Sequence, residues 1–382
     1  MIRVLIVDDS MFMRGAIAKV LNATGQFEVA GQARDGHEAL AKVLALKPDV
    51  VSMDFNMPGG WTGADAIAQI MAQRPTPIVM FSAHTTRGAK ETLDALAAGA
   101  VDFVTKPAGE VSADLSKVQE ELVRKLTFAA QSKPRAMARP SGGPVSGSPG
   151  SAGSSSGAPS SIRGVALGQR APLSSRDPRP SSPGAAPPGG ARPSLGGSLP
   201  KLVVIAVSTG GPVALSHVIP ALPADTRFAV VVVQHMPAHF TAALAERLDG
   251  ESHLSVREAQ DGDRPRPGLV LIAPGDRHLE FDDRGAVVLR DGPHVNGCRP
   301  AADVTMLSAA RVYGRRTIGV VLTGMGRDGT AGALAIRRAE GRTLAQDEET
   351  SVIFGMPRAA IEAGAIEEVA PLKEIASRLR YL

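Results

Sequence analysis

Short apolar runs alternate with stretches of helical periodicity five times over the first 126 residues. The runs are RVLIV (3–7), FEVAGQA (27–33), DVVSMDF (49–55), PIVMFSA (77–83) and VDFVTK (101–106). Amphipathic stretches follow them: MFMRGAIAKVLNA, HEALAKVLAL, GADAIAQIMAQ, KETLDALAAG and DLSKVQEELVRKL (114–126). Val/Ile-rich runs with no polar alternation suit strands buried on both faces, so the pattern predicts an α/β domain with a doubly wound parallel sheet. From residue 200 the alternation resumes with LVVIAVSTGGP, ALSHVIPAL and FAVVVVQHMP, a βαβ reading. LVLIAPGDRHLEF, an Asp-Asp-Arg-Gly turn and AVVLRDG then read as an inserted β-hairpin. RTIGVVLTGMGRDG, TAGALAIRRAEG, RTLAQDE and a final helix return to α/β.

Between the halves the pattern disappears. From Pro134 to Pro200, Gly, Pro and Ser supply 41 of 67 residues, too few apolar groups to offset the entropy of ordering. The expected organisation is therefore 1–126, a disordered linker over 127–199, and 200–382. As a flexible coil the tether spans about 45 Å root-mean-square.

Charge changes the picture less than the pI near 9.4 suggests. The 134–200 segment holds seven arginines and one acid, Asp177, so it carries +6 of a chain total of +4 and leaves −2 for the rest. A basic nucleic-acid groove is not expected of slightly acidic folded parts. No apolar stretch is long enough to insert in a membrane, and Asp8 and Asp9 interrupt the N-terminal run, so the expected location is cytoplasmic. A single cysteine, Cys298, excludes an intramolecular disulfide.

Ligands of parallel α/β sheets bind at the carboxyl ends of the strands, where strand order reverses. In the first half those ends hold Asp8, Asp9, Asp54, Ser82 and Lys106. With strand order 2-1-3-4-5 the three carboxylates converge, and their repulsion calls for a hard cation such as Mg²⁺. Lys106 and Ser82 would supply a cation and a hydroxyl to an anion on Asp54. The motifs VDDS, MDFNMP, FSA and VDFVTKP make this half resemble the flavodoxin-like (βα)5 receiver domain of response regulators. The resemblance implies that Asp54 accepts phosphate, that Asp8, Asp9, Asp54 and the Asn56 carbonyl hold Mg²⁺, and that Ser82, Phe103 and Lys106 form the switch. MPGGWTG (57–63) departs from the usual turn after the third strand.

In the second half Ser208 follows a strand directly and precedes Thr-Gly-Gly-Pro, His235 ends the next strand, and Asp328 lies in a glycine loop after another. Serine needs an imidazole to take its proton and an acid to orient that imidazole, and this set supplies each part. Taken singly, the features have plainer readings: a nucleotide phosphate loop for STGGP, a helix cap for Asp328, a hydrogen-bonded strand-end histidine for His235, or a metal pair of His235 with His239. STGGP, VVQHMPAHFT, APGDRHLEF, DGPHVN, GVVLTGMGRDG, LAQDE and FGMPRAAIE together resemble the catalytic domain of the chemotaxis protein-glutamate methylesterase family, CheB.

That resemblance implies Ser208 as nucleophile, His235 as general base and Asp328 as orienting acid. The backbone N–H groups of Thr209 and Met325 become the candidate oxyanion hole. It implies hydrolysis of glutamate γ-methyl esters on chemoreceptors, glutamine deamidation at the same site, phosphorylation by a CheA-type histidine kinase, and receiver autoinhibition. Two departures stand out: Ala206-Val207 where the family has Gly-Ala, and Cys298 where a histidine is usual. With an ordinary imidazole, activity is expected to fall below pH 6–7. A non-catalytic partner-binding output domain and a serine hydrolase of another pathway are the alternatives.

Overall fold

In the computed structural model, which describes residues 1–82, 85–106, 115–132 and 199–381, the apolar runs become strands. The first half contains β1 (Ile2–Val7), α1 (Met11–Ala23), β2 (Phe27–Ala33), α2 (Gly36–Leu46), β3 (Val50–Asp54), α3 (Gly63–Gln73), β4 (Ile78–Ser82), α4 (Thr86–Ala98), β5 (Asp102–Thr105) and α5 (Leu115–Gln131). All five strands are parallel, in the order β2-β1-β3-β4-β5. β3 and β4 are buried at every position, as expected of interior strands covered by helices on both faces. Side chains of Ser10, Asp35, Thr62 and Thr85 cap α1 to α4, so each helix start is encoded locally. Helix α5 runs past the expected boundary at 126 because Leu126 and Ala129 bury against the sheet. The linker expected over 127–199 otherwise lies almost wholly outside the described residues.

The second half contains β6 (Lys201–Val207), α6 (Gly211–Val218), β7 (Phe228–Gln234), α7 (Phe240–Glu251), β8 (Ser255–Glu258), β9 (Leu269–Ile272), β10 (His278–Phe281), β11 (Val287–Arg290), α8 (Ala302–Tyr313), β12 (Thr317–Val321), α9 (Thr330–Arg338), β13 (Arg342–Gln346), α10 (Gly355–Glu362), β14 (Glu368–Ala370) and α11 (Leu372–Tyr381). Seven parallel strands form one sheet in the order β14-β13-β12-β6-β7-β9-β8. The inserted antiparallel hairpin is β10-β11 alone. LVLI, expected as part of that hairpin, is instead β9, buried throughout and inside the large sheet.

Strand order reverses about β6, whose parallel neighbours are β12 and β7, so the carboxyl ends of these three strands share one edge. The two halves pack into one compact unit. Among the described residues no helix is long and apolar enough to cross a membrane.

Candidate active site and receiver acidic cluster

Ser208 and His235 leave adjacent strands at matching positions. Val207 pairs with Gln234 in the β6–β7 register, the His235 N–H donates to the Val207 carbonyl (3.1 Å), and Gln234 Nε2 donates to the Ser208 carbonyl (3.0 Å). The Ser208 N–H in turn donates to the carbonyl of Thr323, just beyond β12 (3.0 Å). The turn after Ser208 needs a left-handed residue, and Gly210 supplies it at φ 76°. Helices α6, α8 and α9 start beside this edge without a side-chain cap from their own N-cap residue, unlike α1 to α4.

Asp328 provides the missing cap for α8 from a distant loop. Its carboxylate accepts the N–H groups of Ala302 (2.5 Å) and Asp303 (3.0 Å) and the side-chain amide of Asn296 (2.9 Å), and pairs with His235 Nε2 at 2.7 Å. Burial disfavours the charged carboxylate, but the His235 hydrogen bond and charge and the two backbone donors prevail and lower its pKa. Burial likewise opposes a charged His235. Hydrogen bonds with Asp328 and Cys298 outweigh it and raise the imidazole from 6.5 to about 9. His235 therefore titrates well above the pH 6–7 expected of an ordinary imidazole.

The other ring nitrogen, Nδ1, faces Cys298 Sγ at 3.5 Å. Among the described residues no hydrogen bond joins the Ser208 hydroxyl to the ring. The sequence departures are thus located: Cys298 stands against His235, while Ala206 and Val207 pack beside Gly329 and Gly211, close to Asp328 and the serine turn. The N–H groups of Thr209 and Met325 have no partner among the described residues, and Gly324, preceding Met325, lies against the Ser208 side chain. His239 is exposed and at positive φ, and His235 is already engaged on both nitrogens.

Several residues of this site carry no role in the sequence reading. Asn296 lies in the DGPHVN stretch, yet no spacing argument attaches it to Asp328, 32 positions away. Thr323 and Gln346 brace the edge: Thr323 Oγ1 donates to the Thr209 carbonyl (2.9 Å), and Gln346 Oε1 accepts the Thr323 N–H (2.8 Å).

In the first half, ligand atoms of Asp8, Asp9 and Asp54 lie within 4.8 Å of one another. Lys106 Nζ contacts Asp54 (2.8 Å) and Asp8 (3.3 Å). Burial raises the Asp54 pKa against the pull of Lys106 and of the Asn56 N–H. The Ser82 hydroxyl is held by Thr92 (2.6 Å) and the Gly88 carbonyl, not by Asp54. In the divergent 57–63 loop Trp61 stacks on His37 with centroids 3.9 Å apart. Phe103 is buried and stacks on Phe240 of the second half at 4.6 Å, and the adjacent Asp102 accepts the Thr209 hydroxyl at 2.5 Å.

Comparison with known proteins agrees with both halves. Residues 203–379 match the CheB methylesterase family and residues 4–115 the response regulator receiver domain. A protein-glutamate methylesterase/protein-glutamine glutaminase of Symbiobacterium thermophilum is 45% identical over 99% of this chain and 96% of its own length. One of Pyrococcus abyssi is 40% identical over 98% of this chain and 91% of its own. The solved catalytic domain of Thermotoga maritima CheB methylesterase is 47% identical and covers 48% of this chain and 98% of its own, with TM-score 0.47. Near full-length identity at this level, together with the ordered edge of Ser208, His235 and Asp328, means that the chain belongs to the CheB methylesterase family of hydrolases and carries a response regulator receiver domain ahead of the esterase.

Proposed function

We propose that this protein removes methyl groups from glutamate γ-methyl esters of chemoreceptors, and deamidates receptor glutamines, in chemotaxis adaptation in the cytoplasm. The observation that carries the reading is the His235–Asp328 pair at the strand end directly beside Ser208. Ser208 attacks the ester carbonyl as His235 takes its proton. The tetrahedral oxyanion is held by the N–H groups of Thr209 and Met325, methanol leaves with the proton from His235, and water repeats the sequence on the acyl-enzyme. Because Nε2 is committed to Asp328, Nδ1 must accept the serine proton, and the Cys298 thiol must yield that position.

Asp54 is the phosphate acceptor for a CheA-type histidine kinase. Asp8, Asp9 and Asp54, with the Asn56 carbonyl that the resemblance adds, suit Mg²⁺: the three carboxylates are hard oxygen donors with ligand atoms within 4.8 Å of one another, and Lys106 bridges two of them. The ion would neutralise the carboxylates and the incoming phosphoryl group. The receiver holds the serine turn through the hydrogen bond from Thr209 to Asp102, which supports autoinhibition. Replacing Ser208→Ala tests the reading: methanol release from methylated receptors should vanish with the fold intact, and retained activity overturns it.

A further inference from the structure

Residues 295–298 form a tight turn with reciprocal backbone hydrogen bonds between Val295 and Cys298 (3.1 and 2.9 Å). Asn296 and Gly297 at its corner both have positive φ, 53° and 75°, the I′-type combination for which Asn-Gly is the preferred pair. The turn delivers two side chains to the His235–Asp328 pair. Cys298 meets the imidazole, and Asn296 reaches behind the carboxylate. Asn296 Nδ2 donates to both Asp328 Oδ1 (2.9 Å) and Asp303 Oδ2 (2.8 Å). The reverse amide orientation would place an oxygen between two carboxylates, so the hydrogen-bond network itself fixes the assignment.

Two buried carboxylates sharing one amide have an electrostatic problem. Asp303 and Asp328 are both under one-tenth exposed, and the second oxygen of Asp303 is taken by the Gly332 N–H at 2.7 Å. Among the described residues, the titratable groups facing this cluster are His235, Cys298, Asp303 and Asp328. Burial and the charge of Asp328 raise the Asp303 pKa. The Asn296 amide is the side-chain donor that lies between the two carboxylates.

We propose that Asn296 is a positioning residue for ester hydrolysis, its amide screening Asp303 from Asp328 so that the Asp328 carboxylate stays aimed at His235 and the negative charge facing the imidazole stays offset. This rests on the reading of His235 as the base. Asn296→Gly tests it, since glycine keeps the positive φ of the turn and removes only the amide. The expected loss in kcat is roughly 10- to 100-fold with little change in KM, the size of effect that a misaligned catalytic group produces. The apparent pKa of the rate, and the His235 pKa followed by NMR in the full chain, should both rise by about one unit, because Asp328 loses a donor that offset its charge.

Adding Asp303→Asn to Asn296→Gly removes the competing charge and should return both pKa values and most of kcat. Wild-type kinetics in Asn296→Gly overturns the proposal. So does a loss of activity with unmoved pKa values and no rescue by the second substitution, the outcome of a merely structural turn. A shifted NMR titration with an unchanged rate profile overturns it differently, by showing that His235 is not the base.

Discussion

At the residue scale Cys298 bears on the proposed chemistry, because it contacts the ring nitrogen that receives the serine proton in the proposed mechanism. Its contact also helps raise His235 to about 9. A base must be neutral to act, so under the proposed mechanism kcat should climb with pH through neutrality, reach half its maximum near 9 and level off above it, not near 6–7. Replacing Cys298→Ala removes one support of the imidazolium, so the acidic limb of the kcat profile should move to lower pH. An unmoved limb would show that Asp328 alone sets it. Stability runs the opposite way: with the folded pKa above the unfolded one, the imidazolium's contribution is complete below about 6.5 and is lost as pH rises through about 9. Ser208, His235 and Asp328 were legible as residue types at strand ends, and the family resemblance implied the roles proposed for them. What no motif could give is which nitrogen faces which partner, since ring orientation depends on Asn296, Cys298 and the α8 backbone meeting in space.

At the scale of elements, the sheet was legible wherever a run of Val and Ile had no polar alternation, as in β3, β6 and β7. It was not legible where strands are short or mixed. SVRE of β8 and EVA of β14 have too few apolar positions to signal themselves, and the sheet supplies their order by pairing. LVLI shows the opposite error: its neighbouring turn suggested a hairpin, whereas its uninterrupted burial suits an interior parallel strand. Long-range capping is likewise invisible in sequence. Helix α8 starts at Ala302 behind an alanine that cannot cap it, and Asp328 supplies both acceptors. Asp328→Ala should therefore destabilise the fold by about 1–2 kcal/mol, the usual worth of a lost cap, in addition to abolishing catalysis. Urea denaturation of the full chain measures it, and Asp328→Asn, which keeps an acceptor oxygen, should lose less. Equal stability of Asp328→Ala and the wild type would mean that the carboxylate serves catalysis alone.

At the scale of the whole molecule, the contacts between receiver and esterase differ in how salt and phosphorylation should act on them. Lys90–Glu246 (3.0 Å) and Arg247–Asp94 (3.2 Å) join α4 to α7, and each includes a largely exposed partner, so they contribute little and are screened. The Phe103–Phe240 stack and the Asp102–Thr209 hydrogen bond are buried and escape that screening. Salt should consequently relieve the proposed inhibition only modestly. Asp102 is the sharper lever. Its carboxylate accepts the hydroxyl of Thr209, next to Ser208, and meets Lys125 at 3.2 Å, and the residue directly precedes Phe103, which the receiver resemblance places in the switch. A hydrogen bond to a charged acceptor contributes about 1.5–3 kcal/mol, enough to move a closed–open equilibrium by roughly 10- to 100-fold. Asp102→Ala should therefore raise methanol release by the unphosphorylated chain toward that of the isolated esterase half, while leaving the phosphorylated rate unchanged. If the unphosphorylated rate stays low, the inhibitory hold lies in the aromatic stack, and Phe240→Ala becomes the variant that releases it.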